Sequence, residues 1–273
     1  MGTLNAIAAG LVLLTAFEAS AGPSFTAEAV QTQQGQPPET GRIYFSDQGM
    51  RMEFQRQGRP VVQIIMPGQG LMRILFPQDK AYAEIKGPAA PDFATRPESP
   101  CPPPEAGRCE RLGTETIDGV ATETWRITPA AQPTQPAQTG AQAGAGGSFQ
   151  VWWDRQRRLP LRERHADGST AQTTLKGKVS FQGRAVEHWE TTFVGTDGKS
   201  RRAARLHDPE LDVDVREDYP SGATRELRNI KLVPVDPGWF AVPADYRKVD
   251  PGQAGTQPGP ALGASGSTPA GRR

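Results

Sequence analysis

The sequence predicts an all-β protein: a large curved antiparallel sheet or half-open barrel, with an internally repeated meander and few short helices. Three observations predict it. Apolar and polar residues alternate with a period of two in short runs along most of the chain. Gly, Pro and Asp cluster between those runs at strand-length intervals. Beyond the N-terminal segment no long amphipathic helical pattern is visible, and "DPGWF" at 236–240 has room for a single helical turn.

The N-terminus is read separately. Ala6 to Phe17 form an apolar run too short to span a bilayer, followed by Ala19-Ser20-Ala21 and Gly22, an A-x-A-like cleavage site. Residues 1–21 are therefore expected to be a signal peptide cleaved near Ala21, and the protein to be periplasmic. No other run reaches membrane-helix length, so no transmembrane span is expected.

The strands then follow in order. "SFTAEAVQ" (24–31) sets Phe25, Ala27 and Ala29 against polar neighbours. "GRIYFSDQGMRMEF" (41–54) is a hairpin: Ile43 and Phe45 face one way, and after the turn Met50, Met52 and Phe54 share a face opposed by Arg51 and Glu53. "VVQIIM" (61–66), "LMRILF" (71–76) and "AYAEI" (81–85) come next, separated by Pro67-Gly68 and Pro77. "VVQIIM" is apolar on nearly both faces, so that strand needs cover on both sides.

Later in the chain the strands repeat. "GVATETW" (119–125) matches "GRAVEHW" (183–189), with Gly, Ala, Glu and Trp shared at every second position. "LPLRERHADGST" (159–170) matches "VDVREDYPSGAT" (213–224). Two copies of a β-meander account for both. Residues 129–147 and 251–273 are Pro-, Gln-, Gly- and Ala-rich and lack large apolar side chains, so burial there cannot offset ordering entropy. The expected organisation is a signal peptide (1–21), the first part of a half-barrel (22–128), a disordered loop insertion (129–147), the second part (148–250) and a disordered tail (251–273).

The segments 41–54, 68–85, 111–125 and "NIKLVPVDPGWFAVPADYRKV" (229–249) together resemble an uncharacterised bacterial envelope domain. That domain is similar to the lipoprotein-carrier superfamily of LolA and LolB. The carrying features are Gly70 before an apolar strand, Phe76-Pro77, the Lys80-x-Tyr82 step and the closing Trp239-Phe240-x-x-Pro243. The resemblance implies a half-open antiparallel barrel whose greasy concave side holds acyl chains under helices. This chain departs from the pattern, because it enters its first strand at Phe25 with no amphipathic helix before it.

The resemblance assigns Ile43, Phe45, Met50, Met52 and Phe54 to the concave side, as a ligand-binding apolar face. The flexible thioethers suit an adaptable surface. A cavity for lipid and a filled core are both compatible with that pattern.

Chemistry is sparse. Cys101 and Cys109, in "CPPPEAGRC", read as a structural disulfide in an exported protein, stabilising by about 2–3 kcal/mol on the loop-entropy model. His165, His188 and His207 fit no metal-ligand spacing and read as surface residues. Glu123 and Glu187, paired by the repeat, raise a two-carboxylate glycosidase. A rim or salt-bridged role is preferred, with Arg162 and Arg216 as candidate partners. No catalytic residue, metal site or cofactor is assigned, and no enzyme activity is expected. The arginines at 155–164 and 201–205 read as solvated edge charge, or as a strip that meets anionic head groups or an acidic partner, with Arg162 and Arg164 on one face. A net charge of +1 and the absence of interleaved aromatics exclude nucleic acid. The expected partner is a lipid or lipoprotein acyl chain, or else an envelope protein bound by a module with a solid core.

Overall fold

The computed structural model describes residues 23–86, 98–130 and 147–250. The segments expected to be the signal peptide, the cleavage site at Ala21, most of the 129–147 insertion and the 251–273 tail lie outside the described residues. The described residues build one curved, unclosed sheet of sixteen strands.

A first meander runs β1 (Phe25–Thr32), β2 (Glu39–Ser46), β3 (Gly49–Arg56), β4 (Arg59–Met66), β5 (Leu71–Phe76) and β6 (Ala81–Lys86). The second begins with β7 (Gly107–Ile117), β8 (Val120–Pro129), β9 (Phe149–Asp154), β10 (Leu159–Arg164) and β11 (Thr170–Phe181). It continues with β12 (Arg184–Val194), β13 (Ser200–Asp208), β14 (Val213–Asp218) and β15 (Thr224–Leu232). Antiparallel pairing of β1 with β15 joins the meanders, which places β7 at one end of the sheet. The short β16 (Arg247–Val249) pairs in parallel with β6 at the other end.

The repeat seen in sequence is a repeat of structure. Three hairpins four strands apart, β3–β4, β7–β8 and β11–β12, turn on Gln57-Gly58, Asp118-Gly119 and Gln182-Gly183. Every one of these six residues has a positive φ, between 49° and 80°, so each turn is of the two-residue kind that fits strand twist. The second and third hairpins carry a bulge at corresponding places, between Arg111 and Gly113 and between Leu175 and Gly177. Their tips also dock alike. Asp118 accepts from Gln172 and Thr174 on β11, while Gln182 donates to Glu226 and to the Leu227 carbonyl on β15. Each tip thus reaches three strands onward, which requires the sheet to roll.

The second matched block closes β10–β11 and β14–β15 with the same bonds. Gly168 N–H donates to His165 O and His165 N–H to Ser169 O; Gly222 donates to Tyr219 O and Tyr219 to Ala223 O.

In the first meander the two faces are both covered. On one, Phe25, Ala27, Ile43, Met52, Ile65 and Leu227 are buried together, and Leu211 from the β13–β14 turn packs onto them. On the other, Val62, Ile64, Met66, Leu71 and Leu75 are buried against Phe240. Phe240 belongs to the segment 233–246, which crosses the sheet as a strap after β15. The strap makes its single helical turn at Pro237–Phe240, capped by the Asp236 carboxylate accepting from Gly238 N–H. The demand of "VVQIIM" for cover on both sides is met this way, by a strap in place of a helix. The disulfide Cys101–Cys109 is present, with Cα atoms 5.5 Å apart, and clips the chain entering β7.

Candidate functional site

The strap does not lie flat along its whole length. Between it and the sheet opens a cleft of about 870 Å³. Ligand sites typically occupy roughly 300–1,000 Å³. The cleft draws on β15, β1, β2, β3, β4 and β5, with Pro243 and Tyr246 of the strap as its outer wall.

Strand register decides which side chains enter. Tyr44 pairs with Thr26 on one side and with Arg51 on the other, and Thr26 pairs with Lys231. These four residues form one row across β15, β1, β2 and β3, and all four line the cleft. The next row holds Glu28, Arg42 and Glu53. Farther along, Pro60, Val62, Leu75 and Pro77 give an apolar floor. One end of the cleft is therefore rich in donors and charge, and the other is water-avoiding.

Arg51 holds strap and sheet together. Its Nε donates to Glu53 Oε1 at 2.8 Å and its Nη1 donates to the Trp239 carbonyl at 3.1 Å. Its guanidinium lies over the Tyr44 ring, 5.9 Å from the centroid, and Tyr44 in turn meets the Trp239 ring at 5.3 Å. Arg73 acts similarly one strand pair on, donating to the Phe240 carbonyl and to Glu84. Glu84 also accepts from Lys248 of β16, and these bonds hold its carboxyl below the ordinary carboxylate range. Lys80 pairs with Asp245 at 2.8 Å to fix the far end of the strap. At the mouth, Arg42 is exposed, and the Tyr44 hydroxyl and then Glu53 raise its pKa further.

With this geometry established, known proteins can be compared. No family model matches the chain, and no curated protein does. Solved structures similar to it include a domain named for outer-membrane lipoprotein sorting from Vibrio parahaemolyticus, 15% identical, covering 80% of this chain and 89% of that one, with a TM-score of 0.33. They include a LolA superfamily protein from Nitrosomonas europaea, 11% identical, covering 80% and 90%, with a TM-score of 0.35. A DUF1329 family protein from Desulfovibrio piger is 13% identical, covering 82% and 91%, with a TM-score of 0.29. The site is read from this chain's own side chains.

The apolar hairpin face lies as the alternation requires: Ile43 pairs with Met52 and Phe45 with Met50. Ile43 and Met52 are buried, and Phe45, Met50 and Phe54 pack against them, with Phe45 stacked on Phe25 at 5.1 Å. Of the five residues, Phe54 lines the 870 Å³ cleft. Ile43, Met52 and Phe54 line a smaller adjoining hollow of about 40 Å³. In the sequence pattern the polar row on the opposite side of the same hairpin is only a counter-face to the apolar one.

His207 is not at the surface. It is 5% exposed, with Nδ1 3.0 Å from Asp214 Oδ1 and Nε2 3.4 Å from Asp212 Oδ1. Burial was hidden because β13 reads as a charged strand. Among the described residues no group of three or more His, Cys, Asp or Glu is placed to hold a metal ion.

Glu123 is salt-bridged, but to Arg111 and Arg155, not to Arg162 or Arg216. Glu187 accepts from Trp189 Nε1. The two glutamates sit on β8 and β12, four strand steps apart in the sheet, and each is engaged by partners of its own. Arg162 and Arg164 do share a face, and both lie over the Trp152 ring, at 5.6 and 5.7 Å.

Proposed function

We propose that this is a non-catalytic envelope protein that binds an apolar or amphipathic, lipid-like ligand in the cleft between the first meander and the strap. The observation that carries the reading is the cleft itself: about 870 Å³ with an apolar floor at one end and a donor row at the other. The face of Ile43, Phe45, Met50, Met52 and Phe54 supports the site from behind. It makes the sheet a stiff wall, and Phe54 shares that face with the cleft. Export to the periplasm fits the Cys101–Cys109 disulfide, because such bonds persist in oxidising compartments.

The test is mass spectrometry of a solvent extract of the protein purified from its native envelope. The expected result is an amphiphile in near-equal amount to protein. A protein that carries none, and takes up none when incubated with an envelope lipid extract, overturns the reading.

A second reading has its own observation. β7 forms one end of the sheet, eleven residues long and largely exposed, so among the described residues one side of its backbone is unpaired. Such an edge accepts an added strand from a protein partner.

A further inference from the structure

We propose that the ligand of this cleft is an anionic amphiphile, its carboxylate or phosphate head group held by the row Lys231–Thr26–Tyr44–Arg51 with Arg42 at the mouth. This rests on the cleft reading above and adds the charge class of the ligand. Four neighbouring strands place an ammonium, two hydroxyls and a guanidinium in one line, at strand spacings of about 4.8 Å. All of these groups are hydrogen-bond donors; Tyr44 already donates to Glu53 at 3.5 Å and Arg51 to Glu53 and the Trp239 carbonyl, so the open donors of the row are Lys231 and Thr26.

The charge at the site is unbalanced in the same sense. Arg42, Arg51 and Lys231 line the cleft against Glu28 and Glu53. Both acids are already engaged: Glu53 by Arg51, and Glu28 by the side-chain amide of Asn229. Lys231 Nζ and Thr26 Oγ1 have no partner among the described residues. An anion placed there meets free donors and a net positive field, while a cation meets neither.

The direction of the tail follows from the same map. The apolar end, Val62, Leu75, Pro243 and Tyr246, lies away from Lys231 across the sheet. A ligand with one charged end and one apolar chain satisfies both ends of the cleft. A free inorganic anion leaves the apolar end wet, and a neutral lipid leaves the donors without an acceptor.

The test is competition on the full exported chain, against a bound fluorescent fatty-acid probe. The competitors are hexadecanoate, hexadecyl phosphate, hexadecanol and inorganic phosphate. The two anionic amphiphiles are expected to displace the probe at concentrations about tenfold below the alcohol. Lys231→Gln is expected to weaken the probe and both anionic amphiphiles and to erase that difference, read as inhibition constants corrected for the probe's own affinity for the variant. Lys231→Arg is expected to keep the difference. Inorganic phosphate alone is expected to displace nothing.

Equal potency of the anions and the alcohol overturns the head-group proposal while the cleft reading stands. Displacement by inorganic phosphate as effective as by hexadecyl phosphate overturns it in favour of a free-anion site. A probe that does not bind at all overturns the head-group proposal and the cleft reading together.

Discussion

Glu84 shows how single side chains lock the strap end of the molecule. It accepts from Arg73 at 3.0 Å and from Lys248 at 2.9 Å, linking β5, β6 and β16. Its folded-state pKa lies below the ordinary 4.5. A carboxylate depressed on folding adds stability above its unfolded value, and that stability drains away as pH falls through the lowered folded value. Glu84→Gln is therefore expected to cost about 1 kcal/mol at neutral pH and to flatten the acid limb of the stability curve, measured by urea unfolding across pH.

Tyr219 carries the opposite sign. Burial, and then Glu217, push its hydroxyl up to about 12. Its contribution is complete below the ordinary value of 10 and is lost as pH rises through about 12. Tyr219 is expected to give a late step near pH 12 in an ultraviolet titration, and Tyr219→Phe is expected to remove that step.

At this scale the sequence was least informative. The outward row of the first hairpin, Arg42, Tyr44, Arg51 and Glu53, looks like any solvated strand face. What makes it a site is the strap, which arrives from nearly two hundred residues away. His207 was misread for a related reason: its burial comes from the β13–β14 turn, whose packing no local pattern announces.

At the scale of elements, the strap and the hairpin turns carry the account. Phe240 is 6% exposed and roofs five buried side chains of β4 and β5. Phe240→Ala is expected to cost about 3–4 kcal/mol by urea unfolding and to loosen the cleft, because the strap loses its deepest anchor. A cost below about 1 kcal/mol would mean the strap is not packed as described. Gly183, at φ 78°, takes the second place of a two-residue turn, where a side chain is strained. Gly183→Ala is expected to cost about 1 kcal/mol, measured as a lowered urea midpoint with an unchanged slope.

Elements were well exposed to sequence reading. Period-two alternation in "GRIYFSDQGMRMEF" placed the hairpin faces correctly, because side-chain period and pairing register are locked together. "VVQIIM" announced a strand covered on both sides. It did not announce what covered it, since a fourteen-residue irregular strap has no period. The first hairpin of the series, β3–β4, carries its own signal of the repeat: Gln57-Gly58-Arg59 is the same tripeptide as Gln182-Gly183-Arg184.

On the scale of the whole molecule, the sheet is one rolled surface assembled from a repeated four-strand step. Hairpin tips dock three strands onward at Asp118 and at Gln182, so curvature is built into the unit that repeats. The roll and the strap together leave a hollow of ligand size on one face, while the opposite face of the same strands is packed. The all-β class and the unclosed sheet were legible because they depend on alternation and turns. The cleft was not, because it depends on the distance between two segments far apart in the chain.

Equilibrium binding of a fluorescent fatty-acid probe to the unmodified chain and to Thr40→Trp tests the cleft most directly. Thr40 is exposed and lines the cleft, so an indole there intrudes on the cavity from the solvent side without replacing a core residue. The account predicts saturable single-site binding by the unmodified chain, weakened at least about tenfold by the substitution, with unchanged circular dichroism. Binding of equal strength in both proteins, or no saturable binding to the unmodified chain, would contradict it.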